Sequence, residues 1–547
     1  MGTNLKRFIQ KDFNSWWMIS IIGAAIILLP ILFIFFSLFQ EPNENWFQIR
    51  EYLLKTYVAN TVILVLSTGI FTAFLGVSLA WLIAAYDFPL KRFFRWGLLL
   101  PLAIPPYIAA YTYRTMFSYT GVIQTTLRNQ FNYQIDPEIL SISSLRGAIF
   151  IFTLFLFPYV YIMTKAFLES QSSSFFENAR LLGRKPLSIF VKVVLPLSRP
   201  AIAAGAVLVI YEVLSDYGVT SYFGIHTIST AIFQTWFGMY DIDSAMRLAA
   251  WLMVIILGMF FLERMLRKRR RYHLNNKSRP LVPMQLKGWK AAVAFTYCSI
   301  VFLLGFLIPF IQLIAWAKLT FSKVWDETFF TLFFQTVYVA VIATVLILIL
   351  SVVVANVCRS HTTGSYILAR LTTSGYSIPG AIIAIGVLAM FITLDKWLAP
   401  LYSYIGLGNA PLILSLSLVM LIVGYVIRFM ATGFNAVEVG YEKIGTKFSE
   451  ASRLLGHGMT KTFFKVDLPL IKGALVSGFI LTFVEICKEL PLALLLRPFN
   501  FDTLATKTYQ YAKDEQIYEA SISSLMIIGI SVLSVVVFQM IDKKVQR

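Results

Sequence analysis

Four carboxylates interrupt apolar stretches of this chain: Glu212 and Asp216, and, 273 residues later, Glu485 and Glu489. An ionised side chain at the centre of an apolar span costs about 2.5–3.5 kcal/mol or more, so such groups mark candidate sites. Residues four apart share one helical face. The first acid of each pair is expected near the middle of a span and the second about one turn further out. Two such faces meeting across an axis would line a path with negative charge, suited to a cationic or metal-containing solute. Tight metal chelation is not expected of them, because a path must release what passes along it. The competing reading is that the acids pair with Lys488 or Arg247, or emerge into water.

A second pair of chemical elements lies at the same offset. "ENARLLGRKPLSIFVKVVLPL" from Glu177 and "EASRLLGHGMTKTFFKVDLPL" from Glu450 align without a gap and share eleven of twenty-one residues. Each can form a short helix, Glu177 to Leu182 or Glu450 to Leu455. Gly183 or Gly456 then stands where a left-handed C-cap commonly sits. A segment apolar on one side follows, basic at Lys192 or Lys465, and Pro196 or Pro469 marks the turn into the next span. The bland account is an interfacial connector. Two copies with the same glutamate-to-glycine and glycine-to-proline spacing fit a pair of docking sites for two identical partners better.

Other chemistry is poorly represented. Cys298, Cys358 and Cys487 are isolated, and His226, His273, His361 and His457 are scattered, so no metal-ligand spacing is written in the chain and any metal ligands stay unknown. No catalytic residues stand out, and no G-x-x-x-x-G-K-[ST] phosphate loop occurs, so the chain is expected to be a non-enzyme that binds no ATP itself.

The elements that must position these groups are membrane spans. With 58% hydrophobic and only 14% charged residues among 547, the composition exceeds what a soluble fold hides. A span needs about 20 apolar residues. About twelve runs qualify, roughly 16–39, 57–86, 97–117, 147–168, 201–223 and 244–265 in the first half. The second half holds 289–316, 331–357, 374–398, 409–434, 472–496 and 521–541. Pro101, Pro105, Pro106 and Pro379 are expected to kink the third span and its counterpart. The first run is longer than the roughly 7–15 apolar residues of a signal peptide and is expected to be retained.

The net charge of +19 is spread over alternate loops. Lys6, Arg7 and Lys11 precede the first span, and Lys91, Arg92 and Arg95 lie in the next loop on that side. Ten basic residues and no acid lie between Arg264 and Lys290. The positive-inside rule then puts both termini and both motif copies in the cytoplasm. Charge scattered in this way argues for a lipid bilayer as partner and against nucleic acid. Six spans per half is an even number, so the halves form a parallel repeat. The division expected is a first lobe at 1–266 with its loop at 177–197, a basic linker at 267–288, and a second lobe at 289–547 with its loop at 450–470.

The motif spacing resembles the EAA signature of permease subunits in ATP-binding-cassette importers: E-A-A, three residues, G, nine residues, I, any residue, L-P. This chain departs from it at Asn178 and Ser452, where the signature has alanine, and at Val193 and Val466, where it has isoleucine. The resemblance implies an all-α polytopic fold of the type I ABC importer permease (MetI-like) architecture in a bacterial cytoplasmic (inner) membrane. It implies that the short helices enter grooves on two copies of a cytoplasmic ATPase, which use ATP. Glu177, Arg180, Gly183 and Pro196, with Glu450, Arg453, Gly456 and Pro469, would carry that coupling. An external solute-binding protein would deliver the solute.

The stretch from Glu485 to Glu515 is similar to ferric-iron importer permeases in its K-E-L-P, L-L-L-R-P and D-T-L-A runs, and Tyr211 to Gly224 resembles the first-half counterpart. This implies Fe(III) as solute, with Thr503, Leu504 and Ala505 either touching the binding protein or packed in a re-entrant segment. Thiamine or phosphonate permeases share the double-length plan. An ion-coupled secondary transporter would explain the repeat and the acids but not the paired motif.

Overall fold

A computed structural model describes residues 15–133, 135–136, 141–170, 182–268, 283–359, 363–406, 412–415 and 417–545. They form helices almost throughout. Eleven are long and apolar enough to cross a bilayer: Ser15–Ser37, Glu44–Ala85, Leu145–Glu169, Phe190–Ser215, Ile242–Met259, Trp289–Val324, Glu327–Cys358, Gly380–Tyr404, Leu418–Ile444, Met459–Lys488 and Ile517–Val537. A bent pair, Lys91–Ala103 and Pro106–Phe131, turns through 90° and supplies the third of twelve spans. The bend falls at Pro105 and Pro106, as expected, because proline cannot donate the helical hydrogen bond. Pro379 instead sits at the N-cap of the ninth span, which starts at Gly380 rather than near residue 374.

Lipid solvation accounts for the surface pattern. Leu66, Ile70 and Phe74 recur every four residues along the second span and are 53%, 66% and 73% exposed. In water such a stripe would be a liability. Along a span it is the face turned to acyl chains. The opposite face carries small residues: a Cβ on Gly76 of the second span would meet the Tyr161 amide nitrogen of the fourth at 2.9 Å. Close backbone approach of this kind is how helices associate where lipid competes equally for apolar contact.

The internal repeat extends to single hydrogen bonds. The fourth and tenth spans begin at Leu145 and Leu418, the same 273-residue offset. Beyond the fifth and eleventh spans lie the short helices Gly218–Tyr222 and Pro491–Leu496, then Ile228–Met239 and Leu504–Lys513. The last two each open with a threonine capping box, Thr227 with Thr230 and Thr503 with Thr506. Each also hangs from a neighbouring span by its first amide: Ile228 N donates to Thr61 Oγ1 at 3.1 Å, and Leu504 N to Thr336 Oγ1 at 2.9 Å. Thr503, Leu504 and Ala505 are therefore buried, so the reading in which they touch an external protein is corrected to internal packing. Polar caps are required at these buried helix starts, whose amides would otherwise lack partners.

The first span of each half crosses to the other half. Ser15–Ser37 packs on the eighth and ninth spans. A Cβ on Gly386 of the ninth would meet Pro30 O at 2.8 Å. In return, the seventh span packs its Phe302 edge-on to Phe93, with ring centroids 5.1 Å apart, and Tyr297 hydrogen-bonds Ser78 at 2.7 Å. Just before the seventh span, Met284–Gln285 pairs in parallel with Tyr86–Asp87.

Candidate functional site

The fifth and eleventh spans end at equivalent points, Ser215 and Lys488. Asp216 and Glu489 follow in extended backbone, with ψ of 133° and 123°. They are thus not the second members of two helical pairs, as their spacing suggests. Pro491 forces the second break, since proline cannot continue a helical ladder; at the equivalent point of the first half Gly218 packs tightly, where a Cβ would lie 2.6 Å from the Tyr107 Cβ. Each acid instead caps the next short helix. Asp216 Oδ1 accepts from Val219 N at 2.9 Å and Thr220 N at 3.2 Å, and Glu489 Oε1 accepts from Leu492 N at 3.4 Å. A carboxylate at a helix N-terminus is stabilised by the exposed N–H groups.

All four acids nevertheless line one cavity of about 100 Å³ between the halves. At about 10–15 Å³ per water, it has room for several. Two cations share it. Lys488 Nζ lies 2.7 Å from Glu485 Oε1. Arg428, on the tenth span and buried, donates to Ile378 O at 2.5 Å and to Ser215 Oγ of the other half at 3.3 Å. The pairing of the acids with Lys488 thus holds for Glu485. Arg247 does not take part: it donates to Gln40 O and lies over the Trp46 ring at 5.4 Å. The Tyr107 hydroxyl, also lining the cavity, has no hydrogen-bond partner among the described residues. Gly380 makes room for Glu489, since a Cβ there would sit 2.6 Å from its Oε1.

Four carboxylates against two bases leave the cavity acidic. Among the described residues, no three His, Cys, Asp or Glu side chains converge closely enough to hold a metal ion. Its lining offers carboxylate oxygens from both halves.

Arg428 escaped the sequence reading because one arginine in a long apolar run looks like a span end. Its first-half equivalent is Phe155, so the repeat gave no hint either.

At the opposite end of the same helices lie the two motif copies. Glu177 and Arg180 fall outside the described residues. Gly183 and Gly456 have φ of +72° and +84°, the left-handed conformation expected of them. In the second copy, Lys447–Leu454 forms the short helix, with Glu450 in its first turn. Glu450 and Arg453 are exposed, and Leu454 and Leu455 are 89% and 78% exposed. Leu182 of the first copy is 80% exposed.

Pro196 and Pro469 do not mark a turn. They lie in the first turn of regular helix directly after π-helical segments, Phe190–Val194 and Phe463–Asp467, and the helix runs on without interruption. The wider π turn clears the proline ring from the carbonyl four residues earlier, which a normal helix would bring into collision.

A family model described as binding-protein-dependent transport system inner membrane component matches residues 74–272 and again 347–547. Similar proteins include the Fe(3+)-transport system permease protein FbpB 2 of Haemophilus influenzae (strain ATCC 51907 / DSM 11121 / KW20 / Rd), 25% identical over 86% of this chain and 87% of that protein. The putative ferric transport system permease protein FbpB 1 of the same strain is 22% identical over 84% of this chain and 74% of its own length. The sulfate transport system permease protein CysW of Escherichia coli (strain K12) is 27% identical over 40% of this chain and 75% of its own length.

Proposed function

Given that the chain belongs to the family of binding-protein-dependent transport system inner membrane components, we propose that it is a fused permease that moves Fe(III) into a bacterial cytoplasm. Two ATPase subunits would drive it, one on each of its exposed loops, and an external protein would deliver the ion. The lobes would be 1–266 and 289–547, joined by the linker 267–288, with both termini in the cytoplasm as the basic loops favour.

One observation carries the mechanism. Met459–Lys488 is a continuous helix with a docking loop at one end and the charged cavity at the other. Its 30 residues span about 45 Å at about 1.5 Å per residue. Phe190–Ser215 makes the same connection in the other half. A helix of that length moves as a lever. Closure of the ATPase pair on the loops would swing Glu485 and Glu489 relative to Glu212 and Asp216, opening the cavity to one side and then the other.

The excess of carboxylates supports a cationic solute. Arg428 and Lys488, together with the similarity to a sulfate permease, give a specific reason to test an oxyanion as well. Proteoliposomes containing the permease, its ATPase and its binding protein should accumulate radiolabelled ferric iron on ATP addition and should not accumulate sulfate or thiamine. Glu212→Gln should slow the iron uptake. ATP-dependent uptake of sulfate, with iron left outside, would overturn the cation reading and keep the permease.

A further inference from the structure

The second docking loop is rooted in a buried ion pair. In the second half, Arg359 follows the eighth span and gathers four elements. Its Nη1 lies 2.9 Å from Asp467 Oδ1 on the π segment, and its Nη2 donates to Ser449 Oγ on the docking helix at 2.6 Å and to Gly445 O beyond the tenth span at 3.1 Å. Its guanidinium lies 4.7 Å from the centre of the Tyr441 ring. Ser449 Oγ also donates to Asp467 Oδ1 at 2.5 Å, and Ser452 and Thr462 hydroxyls meet at 2.9 Å. The ion pair is nearly dry, with side chains 12% and 4% exposed.

In the first half the positions 273 earlier hold Tyr86 for Arg359, Val194 for Asp467 and Phe176 for Ser449. Tyr86 and Val194 are buried in an apolar cluster with Trp81, Phe94 and Leu168. Among the described residues, the positions equivalent to the ion pair are thus a tyrosine and a valine in an apolar cluster, whereas the second half is built around a buried pair. A buried pair is seldom the more stable choice, and apolar residues of similar volume often serve as well or better. What it adds is direction. Three hydrogen bonds from one planar guanidinium fix the docking helix against the spans in a way that apolar contact does not.

We infer that Arg359 and Asp467 are positioning residues that lock the second docking helix to its lever. ATPase motion then reaches the cavity through the second half as a rigid displacement. This rests on the docking reading above.

The test uses the full complex in nanodiscs, with the three native cysteines replaced by alanine. Spin labels on Asp243→Cys and Lys513→Cys, exposed positions at the end remote from the loops, report opening without depending on the solute. ATP–vanadate trapping should change the label separation in the parent. Arg359→Tyr combined with Asp467→Val removes both charges together, leaving no unpaired ion. This double variant should bind ATPase within threefold of the parent and hydrolyse ATP, yet lose more than half of the separation change. Asp467→Glu, which keeps the pair, should restore it. A double variant with the full change overturns the inference, as does loss of the change in Asp467→Glu at normal abundance. Failure of the docking reading looks different: replacing Glu177 and Glu450 with glutamine would leave ATPase affinity untouched.

Discussion

Leu182 and Leu455 occupy equivalent places in the two motif copies and are 80% and 78% exposed. If they enter grooves on a partner, their value lies wholly in the complex. Replacing leucine by alanine deletes three carbons, worth about 0.8 kcal/mol each on full burial. With about four fifths of that area still available to bury, each substitution should cost about 2 kcal/mol of binding, roughly 30-fold in Kd. The sites are on separate loops without shared partners, so the effects should add, giving close to a thousandfold for the double variant measured against a linked ATPase pair. Thermal unfolding of the permease alone should move by no more than about 0.5 kcal/mol, as for other exposed positions. Titration of purified ATPase onto permease in nanodiscs measures the first quantity and a melting curve in the absence of ATPase the second. Unchanged affinity in both single variants would refute the argument. So would a loss of affinity accompanied by equal destabilisation of the free permease.

Other expectations follow from the same geometry. Asp241 clasps the loop after the first span to the start of the sixth, accepting from Asn43 at 2.7 Å, Asn45 at 2.9 Å and the amides of Asp243 and Ser244 at 3.1 Å. Burial alone would raise its pKa, but these hydrogen bonds outweigh burial and hold it below the usual carboxylate value. Its stabilisation is thus complete above the unfolded pKa of about 3.9 and is lost as pH falls through the lower folded value. Thermal melts of the parent should therefore drop more steeply below pH 4 than those of Asp241→Asn. Lys488→Met should lower stability by roughly 1–3 kcal/mol by leaving Glu485 unpaired among other carboxylates, and adding Glu485→Gln should recover most of it in a thermal-shift cycle. Gly380→Ala forces the Glu489 carboxylate back from 2.6 Å to beyond 3.4 Å. Because that carboxylate ends a flexible side chain, abundance should stay normal while the uptake rate falls several-fold.

The spans, the twofold repeat and the paired loops were legible along the chain, because these depend on local quantities. Apolar run length fixes a helix in lipid, and a left-handed glycine such as Gly183 or Gly456 announces itself at a fixed distance from the residues it caps. The tertiary structure decided the site. Glu212, Asp216, Glu485 and Glu489 were legible as costly residues. Their convergence depends on two helices stopping at Ser215 and Lys488, though, and while Pro491 marks the second stop along the chain, nothing along the chain marks the first, where Gly218 packs against Tyr107. Arg428 and Arg359 were not legible, since each lacks a charged equivalent in the other half and each acts on residues dozens to hundreds of positions away. Helix formation is decided along the chain, whereas the partner of a buried charge is decided by which spans come to lie side by side.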